Sequence, residues 1–335
     1  RAVEIRISLF YTSYNTMKTV LVTGAAGFIG SNLTKALLGK GYRVIGVDNF
    51  DDTYDPQFKE SNIAPFLDNP DFVLYRVDIR DLDALRAVFE KEKPSHVAHL
   101  AGKGDTRDAV KNPFIYLSVN MDGTLNVLEM CREFGVQMTV IASSGSVYGN
   151  NPNIPWKEDE RTDFPLSAYG VTKKAMEMLA YTYHHNFGMN VICLRYFNVY
   201  GENNRPGMAP YKWTKAFLTG GEIELSGEGT RKRDFTYVGN IVDATVRALE
   251  SSLSYEVINV ADSKPRSLMD LFGALEKATG ISPQLRKRPS HPASVEEMHA
   301  DNSKAKELLG WEPEVSLEEG ITRLVAWFRA NRLAQ

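Results

Sequence analysis

A glycine-rich turn between an apolar strand and an amphipathic helix is the feature that most constrains this chain. KTVLVTG (18–24) is rich in β-branched residues, and FIGSNLTKALLGKGY (28–42) carries apolar residues at helical spacing. Gly24, Gly27 and Gly30 occupy the turn between them. Glycines at this spacing allow a tight turn, close approach of a pyrophosphate to backbone N–H groups, and close packing of helix on strand. The turn therefore predicts a dinucleotide site at a helix N-terminus.

The same alternation of strand and helix continues through most of the chain. Further strands are predicted at 43–50, 72–81, 96–102, 138–149 and 190–201, and helices at 83–91, 113–135 and 169–188. Strands that alternate with helices at this spacing form a parallel sheet covered on both faces. We therefore expect an α/β fold with a doubly wound parallel (Rossmann) sheet and a smaller C-terminal substrate-binding domain.

Composition excludes several classes of protein. The 335 residues carry a net charge of −3, without the basic excess typical of nucleic-acid-binding proteins. The chain also lacks an apolar run of the roughly 20 residues that a membrane span needs. Cys131 and Cys193 lie in apolar patterns, which predicts buried free thiols and a reducing, cytoplasmic compartment. We expect no nucleic-acid partner, no membrane association and no metal.

Acidic residues end the second and third predicted strands. A carboxylate at Asp48 would accept hydrogen bonds from the adenosine ribose and repel a 2′-phosphate. An arginine does not follow Asp48 immediately, so NAD is favoured over NADP. Asp78 and Ile79 stand where an adenine ring would rest, although Asp78 taken alone is equally suited to cap the following helix.

A tyrosine and a lysine four residues apart suggest proton chemistry. Tyr169 and Lys173 in SAYGVTKKAME would face the same way on a helix. The ammonium group is expected to lower the phenol's pKa from about 10, making Tyr169 a base near neutral pH. Such pairs also arise by chance, but here ASSGSVYG places Ser143, Ser144 and Ser146 at the carboxyl end of a strand. Ligands of open α/β sheets bind at that edge.

Taken together, these motifs resemble the extended short-chain dehydrogenases/reductases, in the group of NAD-dependent nucleotide-sugar epimerases and dehydratases. The resemblance spans Met17 to about Arg332 and is carried by TGAAGFIG, VDNF, HLAG, ASSGSVYG, YGVTK and RYFNVYG. It implies an NAD-dependent enzyme in which Ser144 is the catalytic serine, Tyr169 the base, and Lys173 the residue that holds the nicotinamide ribose.

The resemblance also implies the remaining cofactor contacts and the assembly. Helices 113–135 and 169–188 are apolar around most of their circumference and are expected to pair across a two-fold axis in a homodimer. Asn120 in NMDGT would support the active-site backbone. The expected cofactor-binding residues are Gly24, Gly27, Phe28, Ile29, Gly30, Asp48, Asn49, Asp78, Ile79, Leu100, Ala101, Gly102, Lys103, Asn120, Tyr169, Lys173 and Tyr196.

Domain boundaries follow from the motifs and from a change of rhythm near residue 200. Residues 1–16 are predicted to be an N-terminal extension or remnant, because MKTVLVTGAAG has the character of a protein start. Residues 17–195 are expected to form the NAD-binding Rossmann domain, with 234–262 returning to it. Residues 196–233 and 263–335 are expected to form the nucleotide-sugar-binding domain.

The reaction that the resemblance favours is epimerisation at C4 of a UDP-sugar. Dehydratases of the group usually carry an Asp-Glu pair after the catalytic serine or threonine, where this chain has Gly145 and Ser146. Arg205 in NNRPGMA resembles an arginine of the UDP-glucuronate 4-epimerases, which favours UDP-glucuronate as the substrate. The expected substrate-binding residues are Arg107, Ser143, Ser144, Gly145, Asn198, Arg205, Met208, Arg233 and Arg288, the last two for the diphosphate.

Two departures from that pattern leave alternatives open. Asn198 stands where glucuronate epimerases usually have threonine and neutral-sugar epimerases often have asparagine. His291 in PSHP replaces an aspartate that contacts the nucleotide ribose in the group. The alternatives are a UDP-glucose or UDP-N-acetylglucosamine 4-epimerase, a UDP-glucuronate decarboxylase, and a non-catalytic NAD-binding relative.

Overall fold

Seven parallel strands form the central sheet of the computed structural model, which describes residues 18–289 and 295–333. The predicted N-terminal extension and His291 lie outside these residues. The sheet order is β3-β2-β1-β4-β5-β6-β9, so the strand order reverses between β1 and β4. The strands are β1 (Thr19–Thr23), β2 (Arg43–Val47), β3 (Phe72–Tyr75), β4 (His96–His99), β5 (Met138–Ser144), β6 (Val191–Tyr196) and, farther along the chain, β9 (Tyr255–Val260).

Helices cover both faces of this sheet. They are α1 (Phe28–Gly39), α2 (Gln57–Ile63), α3 (Leu82–Glu92), α4 (Thr106–Lys111), α5 (Pro113–Tyr116), α6 (Gly123–Glu133), α7 (Ala168–Phe187) and α9 (Val238–Glu250). Every residue of β5 and β6 is buried, as expected for a parallel sheet packed on both sides. The predicted fold class, a doubly wound parallel sheet, is confirmed.

The remaining elements lie outside the central sheet. They are α8 (Ala209–Thr219), β7 (Ile223–Ser226), β8 (Lys232–Arg233), β10 (Arg266–Ser267), α10 (Leu268–Thr279), β11 (Leu285–Arg288), α11 (Ser303–Leu309) and α12 (Leu317–Arg332). β11 pairs with β7, β10 pairs with β8, and α10 packs on α8 and α12. The predicted return to the sheet occurs at β9, which pairs with β6. The division into two domains stays a prediction.

The predicted strands were too long at their carboxyl ends. β2 ends at Val47, β4 at His99 and β5 at Ser144, because the following residues turn out of the sheet. After Ser144 the chain forms a 3₁₀ helix, Gly145–Tyr148, for which Ser144 is the N-cap. The residues beyond each strand are therefore free to line a site at this edge.

The helix predicted over 113–135 is observed as a continuous helical segment from Pro113 to Glu133, with a change of helix type inside it. A π-helical turn, Leu117–Asp122, separates α5 from α6. This turn contains Asn120, which is fully buried. A π turn inside a helix often marks a functional site, since it redirects a side chain that a regular helix would place elsewhere.

The ends of two helices show how local sequence sets their bounds. The side chain of Ser167 accepts a hydrogen bond from the Gly170 N–H at 3.3 Å and caps the start of α7. Gly188, with φ +67°, caps its end after Phe187. Asp81, rather than Asp78, caps α3 by accepting from the Ala84 N–H at 3.0 Å. The capping alternative considered for Asp78 is thus wrong.

Candidate active site

A cavity of about 1690 Å³ follows the carboxyl edge of the sheet and reaches into the C-terminal elements. Most of the predicted site residues share it. Those that line it are Gly24, Gly27, Phe28, Ile29, Gly30, Asp48, Asn49, Asp78, Ile79, Leu100, Ala101, Gly102, Lys103, Arg107, Ser143, Ser144, Tyr169, Lys173, Tyr196, Asn198, Arg205, Met208, Arg233 and Arg288.

Two predicted residues lie behind the cavity wall. A Cβ atom on Gly145 would come within 2.5 Å of the Phe197 ring, so this glycine serves close packing. Asn120 accepts from the Lys103 N–H at 2.8 Å, and its amide donates to the Lys103 carbonyl oxygen at 3.1 Å and to Thr172 Oγ1 at 2.9 Å. Asn120 thus holds the backbone of Lys103, which lines the cavity, and does not line the cavity itself.

The glycine turn has the geometry of a phosphate cradle. Gly24 has φ +70°, and a Cβ on Gly30 would lie 2.0 Å from the Gly24 carbonyl oxygen, so helix and turn pack too closely for any side chain there. Gly27 is the N-cap of α1, and no side chain occupies that cap or adds an acidic group in the first turn. The positive end of α1 therefore opens toward the cavity, where it suits a pyrophosphate.

Asp48 lies at the end of β2 beside this turn. Its carboxylate accepts from the Ala26 N–H at 3.1 Å and from the Phe50 N–H at 2.8 Å. Burial raises the pKa of Asp48, while the nearby Lys59 ammonium and these two hydrogen bonds lower it. Its position along the cavity fits the ribose-binding carboxylate of an NAD site.

Asn49, Asp78 and Arg80 form a polar part of the cavity wall, after the ends of β2 and β3. Asn49 donates to Asp78 at 2.9 Å, and Arg80 Nη2 donates to the same carboxylate at 2.7 Å. The hydrogen bonds from Arg80 hold the pKa of Asp78 below its usual range. Asp78 is therefore an anchored carboxylate, and Ile79 beside it supplies an apolar surface.

Tyr169 and Ser144 both line the cavity and lie beside each other. Burial raises the pKa of the Tyr169 phenol, whereas a hydrogen bond with Ser144 and the charge of Arg205 lower it. The expectation that Lys173 lowers this pKa was wrong for the protein alone. Lys173 Nζ instead donates to the Ala142 carbonyl oxygen at 2.6 Å. Burial lowers the pKa of Lys173 to about 8.

Lys103 forms an ion pair between two segments that line the cavity. Its Nζ lies 2.6 Å from Asp51 Oδ2 and also contacts Thr53, so it joins the segment after β4 to the segment after β2. Lys59 lies 2.6 Å from the other oxygen of Asp51. Burial raises the pKa of Asp51, but the two lysines more than offset this effect and hold it well below its usual range.

The hydroxyl group of Ser143 is bonded to a buried carboxylate and is not free to bind substrate, the role predicted for it. Ser143 Oγ donates to the buried Glu177 at 2.6 Å. Ser144 Oγ accepts from the Ser146 N–H at 3.1 Å and remains on the cavity surface. The hydroxyl of Ser144 donates to Ser146 Oγ at 3.2 Å on the cavity surface, and it, rather than that of Ser143, faces a ligand beside Tyr169.

In the loop after β6, some polar side chains face the cavity and another bonds to the first helix. Asn198 has φ +28°, and its Oδ1 is buried without a hydrogen-bond partner among the residues that the structure describes. Arg205 donates to the Gly104 carbonyl oxygen at 2.5 Å and faces the cavity. Asn203 instead donates to Ser31 on α1 at 3.0 Å, so this part of the loop fastens to the first helix.

The other predicted substrate-binding arginines also line the cavity. Arg233 donates to the Lys232 carbonyl oxygen at 2.7 Å, and burial together with Arg231 lowers its pKa. Arg288 pairs with Glu224 across β7 and β11. Arg107 is exposed on α4. An anion bound between Arg231 and Arg233 would relieve the repulsion between these two like charges.

Several lining residues escaped the sequence analysis. Arg231 stands two positions before Arg233, and the alternation of a short strand was a signal that both would face one side. Asp51, Thr53 and Tyr54 belong to a segment with no recognisable periodicity, and only folding brings them to the cavity.

Comparisons with known proteins identify the family. The model of the NAD dependent epimerase/dehydratase family matches residues 20–261. This chain belongs to that family. The fit of the glycine turn and Asp48 to a dinucleotide agrees with it, and NAD is the cofactor of this NAD-dependent enzyme. The predicted family and cofactor are confirmed.

Individual relatives point to nucleotide sugars. The chain is 42% identical to a UDP-glucuronate 4-epimerase of Thermodesulfobacterium geofontis, over 93% of this chain and 96% of that protein. A UDP-glucuronic acid 4-epimerase from Bacillus cereus, solved with UDP-glucuronic acid and NAD, is 36% identical with a TM-score of 0.87, covering 93% and 99% of the two chains. A UDP-glucose 4-epimerase from Thermotoga maritima, solved with UDP-glucose, is 33% identical with a TM-score of 0.86 and the same coverage.

Two further properties concern the described residues alone. Within 18–289 and 295–333, the helices are too short or too polar to cross a membrane. Over the same ranges, the acidic, histidine and cysteine side chains do not gather into a group of three that would hold a metal ion. Cys131 and Cys193 are both buried free thiols, as predicted.

Proposed function

We propose that this chain is a UDP-sugar 4-epimerase whose substrate is UDP-glucuronate. The observation that carries the choice of substrate is the position of Arg205. Its guanidinium faces the same cavity as Ser144 and Tyr169, close enough for its charge to lower the pKa of the Tyr169 phenol. A guanidinium beside the reacting groups suits a sugar that carries a carboxylate.

In the proposed reaction, a proton and a hydride each leave the sugar once and each return to it once. Tyr169 accepts the proton of the 4-hydroxyl group, and Ser144 steadies the oxygen by a hydrogen bond. NAD, when bound, supplies a reversible acceptor for the C4 hydride. The resulting 4-keto sugar turns over in the cavity, receives hydride on its other face, and regains its proton from Tyr169. The result is an inverted C4 centre without net oxidation.

A carboxylate substrate imposes a further requirement. A 4-keto uronic acid is a β-keto acid, which loses carbon dioxide when its C5–C6 bond aligns with the ketone π system. Hydrogen bonds from Arg205, Ser144 and the Asn198 amide would hold the carboxylate out of that alignment. We expect Asn198→Ala or Arg205→Ala to release some UDP-pentose; an unchanged product ratio in both variants would contradict this role.

Asn198 supports a second candidate, a neutral-sugar 4-epimerase. Its buried Oδ1 lacks a partner within 18–289 and 295–333 and so favours a ligand that donates a hydrogen bond, such as a hydroxyl group, over a carboxylate. An amide rotated by half a turn would present Nδ2 instead and suit the carboxylate. The two candidates therefore differ in whether Asn198 presents a hydrogen-bond acceptor or a donor to the group at C6 of the sugar.

One assay separates these candidates. The purified protein is incubated separately with UDP-glucuronate, UDP-glucose and UDP-N-acetylglucosamine, and the product sugars are identified. We expect UDP-galacturonate from UDP-glucuronate and little turnover of the neutral sugars. Conversion of UDP-glucose at a higher kcat/KM would favour the second candidate, and UDP-pentose as the main product would favour a decarboxylase.

A non-catalytic NAD-binding role belongs to a different class and needs its own test. Tyr169→Phe removes the phenol hydroxyl while keeping the ring that packs edge-on against Tyr116. We expect this variant to bind NAD and lose turnover by ~100-fold or more, the range of general acid–base contributions. Turnover equal to that of the wild type would contradict the assigned base.

A further inference from the structure

A buried ion pair joins the catalytic helix to the strand beside the catalytic serine. Glu177 on α7 and Arg195 on β6 form two hydrogen bonds of 2.8 Å each, and both side chains are about 2% exposed. The desolvation of two charges offsets much of their attraction, so a buried pair is weak evidence for stability. Its role in this protein is better judged from the residues to which the pair forms hydrogen bonds.

The pair holds both flanks of the turn that carries Ser144. Glu177 Oε1 accepts a hydrogen bond of 2.6 Å from Ser143, the residue before Ser144. Arg195 Nη1 donates a hydrogen bond of 2.7 Å to the hydroxyl of Tyr148, the last residue of the 3₁₀ helix that Ser144 begins. These buried bonds therefore restrain the chain on both sides of Ser144.

The same pair places α7 in register with β5. Tyr169, Lys173 and Glu177 are spaced by four residues and share one face of α7. Lys173 bonds to the carbonyl oxygen of Ala142 and Glu177 bonds to the hydroxyl of Ser143, so successive residues of β5 are tied to successive turns of α7. The next residue on β5 is Ser144, beside Tyr169.

We propose that the Glu177–Arg195 pair is a positioning device that sets the placement of Ser144 against Tyr169. Neither residue touches the proposed substrate, since neither lines the cavity. The pair acts through Ser143 and Tyr148. This inference rests on the proposed epimerase function for its kinetic readout, although its effect on Tyr169 can be measured without substrate.

The ionisation of Tyr169 distinguishes positioning from simple electrostatics. The hydrogen bond with Ser144 stabilises the phenolate, so displacement of Ser144 raises the pKa of Tyr169. Loss of the negative charge of Glu177 acts in the opposite direction, because it leaves Arg195 unpaired and favours the phenolate. A rise in the pKa of Tyr169 after neutralising Glu177 is therefore a result that charge alone does not produce.

The test uses two variants and a matched control, all as NAD-loaded protein. Glu177→Gln breaks the charge pair, and Ser143→Ala removes one link while leaving the pair intact. The control is Glu92→Gln, because Glu92 also accepts from an arginine and a tyrosine, Arg43 and Tyr75, each at 2.5 Å. That pair lies at the opposite edge of the sheet, on β2, β3 and α3.

Two measurements decide the outcome. The first is the kcat and KM for UDP-glucuronate; the second is the pKa of Tyr169, from ultraviolet absorbance of each protein minus that of its Tyr169→Phe counterpart. We expect both variants to lose ~10- to 100-fold in kcat with KM within about twofold, and to show a raised Tyr169 pKa. The control should keep the kcat and the Tyr169 pKa of the wild type.

The results separate this inference from the proposed function. An unchanged or lowered Tyr169 pKa in both variants would overturn the positioning role, and so would an equal loss of kcat in Glu92→Gln. A rise in KM with unchanged kcat in Ser143→Ala would restore its predicted substrate-binding role and overturn the link through Glu177. If the wild type does not turn over UDP-glucuronate, the proposed substrate fails, while the Tyr169 pKa still decides the inference.

Discussion

Lys173 Nζ donates a hydrogen bond of 2.6 Å to the carbonyl oxygen of Ala142, two residues before Ser144. The bond ties α7 to β5 at the base of the cavity. The pKa of the Tyr169 phenol is instead set by burial, Ser144, Arg205 and Asp105. Lys173 is therefore a structural anchor of the site as well as a predicted ribose contact.

Replacement of this lysine should weaken both roles. We expect Lys173→Met to reduce kcat by ~100-fold, the scale at which small displacements of reacting groups act, and to lower the NAD content of the purified protein. Turnover and bound NAD measure the two effects. Lys35→Met, on the exposed face of α1, is the control and should retain both. Normal NAD content and kcat in Lys173→Met would refute the assignment.

The Lys103–Asp51 contact should govern how firmly NAD is held. This ion pair joins two segments across the cofactor end of the cavity, at 2.6 Å with Lys103 16% exposed. Lys103→Met should therefore lose NAD faster than the wild type during gel filtration, with the released nucleotide quantified by absorbance. Lys40→Met, which removes an exposed pair with Glu250, provides the comparison. Equal NAD retention in the three proteins would show that the contact does not close the site.

Asp234 should make stability depend on pH. It is fully buried and accepts from the Ser263 N–H at 3.0 Å and the Ala300 N–H at 3.2 Å. Burial, followed by the nearby Asp262, raises its pKa from 3.8 to about 7. Between these values the folded protein binds more protons than the unfolded chain, so the contribution is present below pH 4 and is lost as pH rises through about 7.

Urea unfolding at several pH values tests this linkage. We expect the free energy of unfolding of the wild type to fall from pH 5 to pH 8, and Asp234→Asn to show a shallower fall, because asparagine does not titrate. Asp243→Asn, which removes an exposed partner of Arg247, should keep the slope of the wild type. Parallel slopes in all three proteins would contradict the raised pKa.

The exposed apolar residues of α7 bear on the predicted homodimer. Met178 and Tyr181 are 61% and 51% exposed, and Phe114 on α5 is 82% exposed. Large apolar groups concentrated on neighbouring helices mark an interaction surface. We expect the wild type to be a dimer by light scattering and Met178→Glu to shift it toward monomer. Leu67→Glu, at an exposed leucine elsewhere, should remain dimeric; a monomeric wild type would end the proposal.

Local sequence was sufficient to predict the glycine turn, the carboxylate beside it and the tyrosine–lysine pair. The glycines at 24, 27 and 30, the carboxylate at 48 and the Tyr169–Lys173 spacing are short-range patterns, and each acts through the backbone of its own turn or helix. Parallel strands bring their carboxyl ends to one edge, so these motifs converge wherever the sheet forms. Fold class and cofactor could therefore be predicted from the sequence, and the reacting residues stay a prediction.

Only the tertiary structure decided what each side chain does at that edge. Ser143 and Ser144 are adjacent in sequence, but packing of α7 against β5 turns one toward Glu177 and leaves the other at the cavity. Lys173 faces a carbonyl oxygen rather than the phenol for the same reason. Such choices depend on partners 31 and 34 residues away along the chain, which local patterns do not specify. Sequence alone thus determined which groups meet, and the packing of distant elements decided how they are paired.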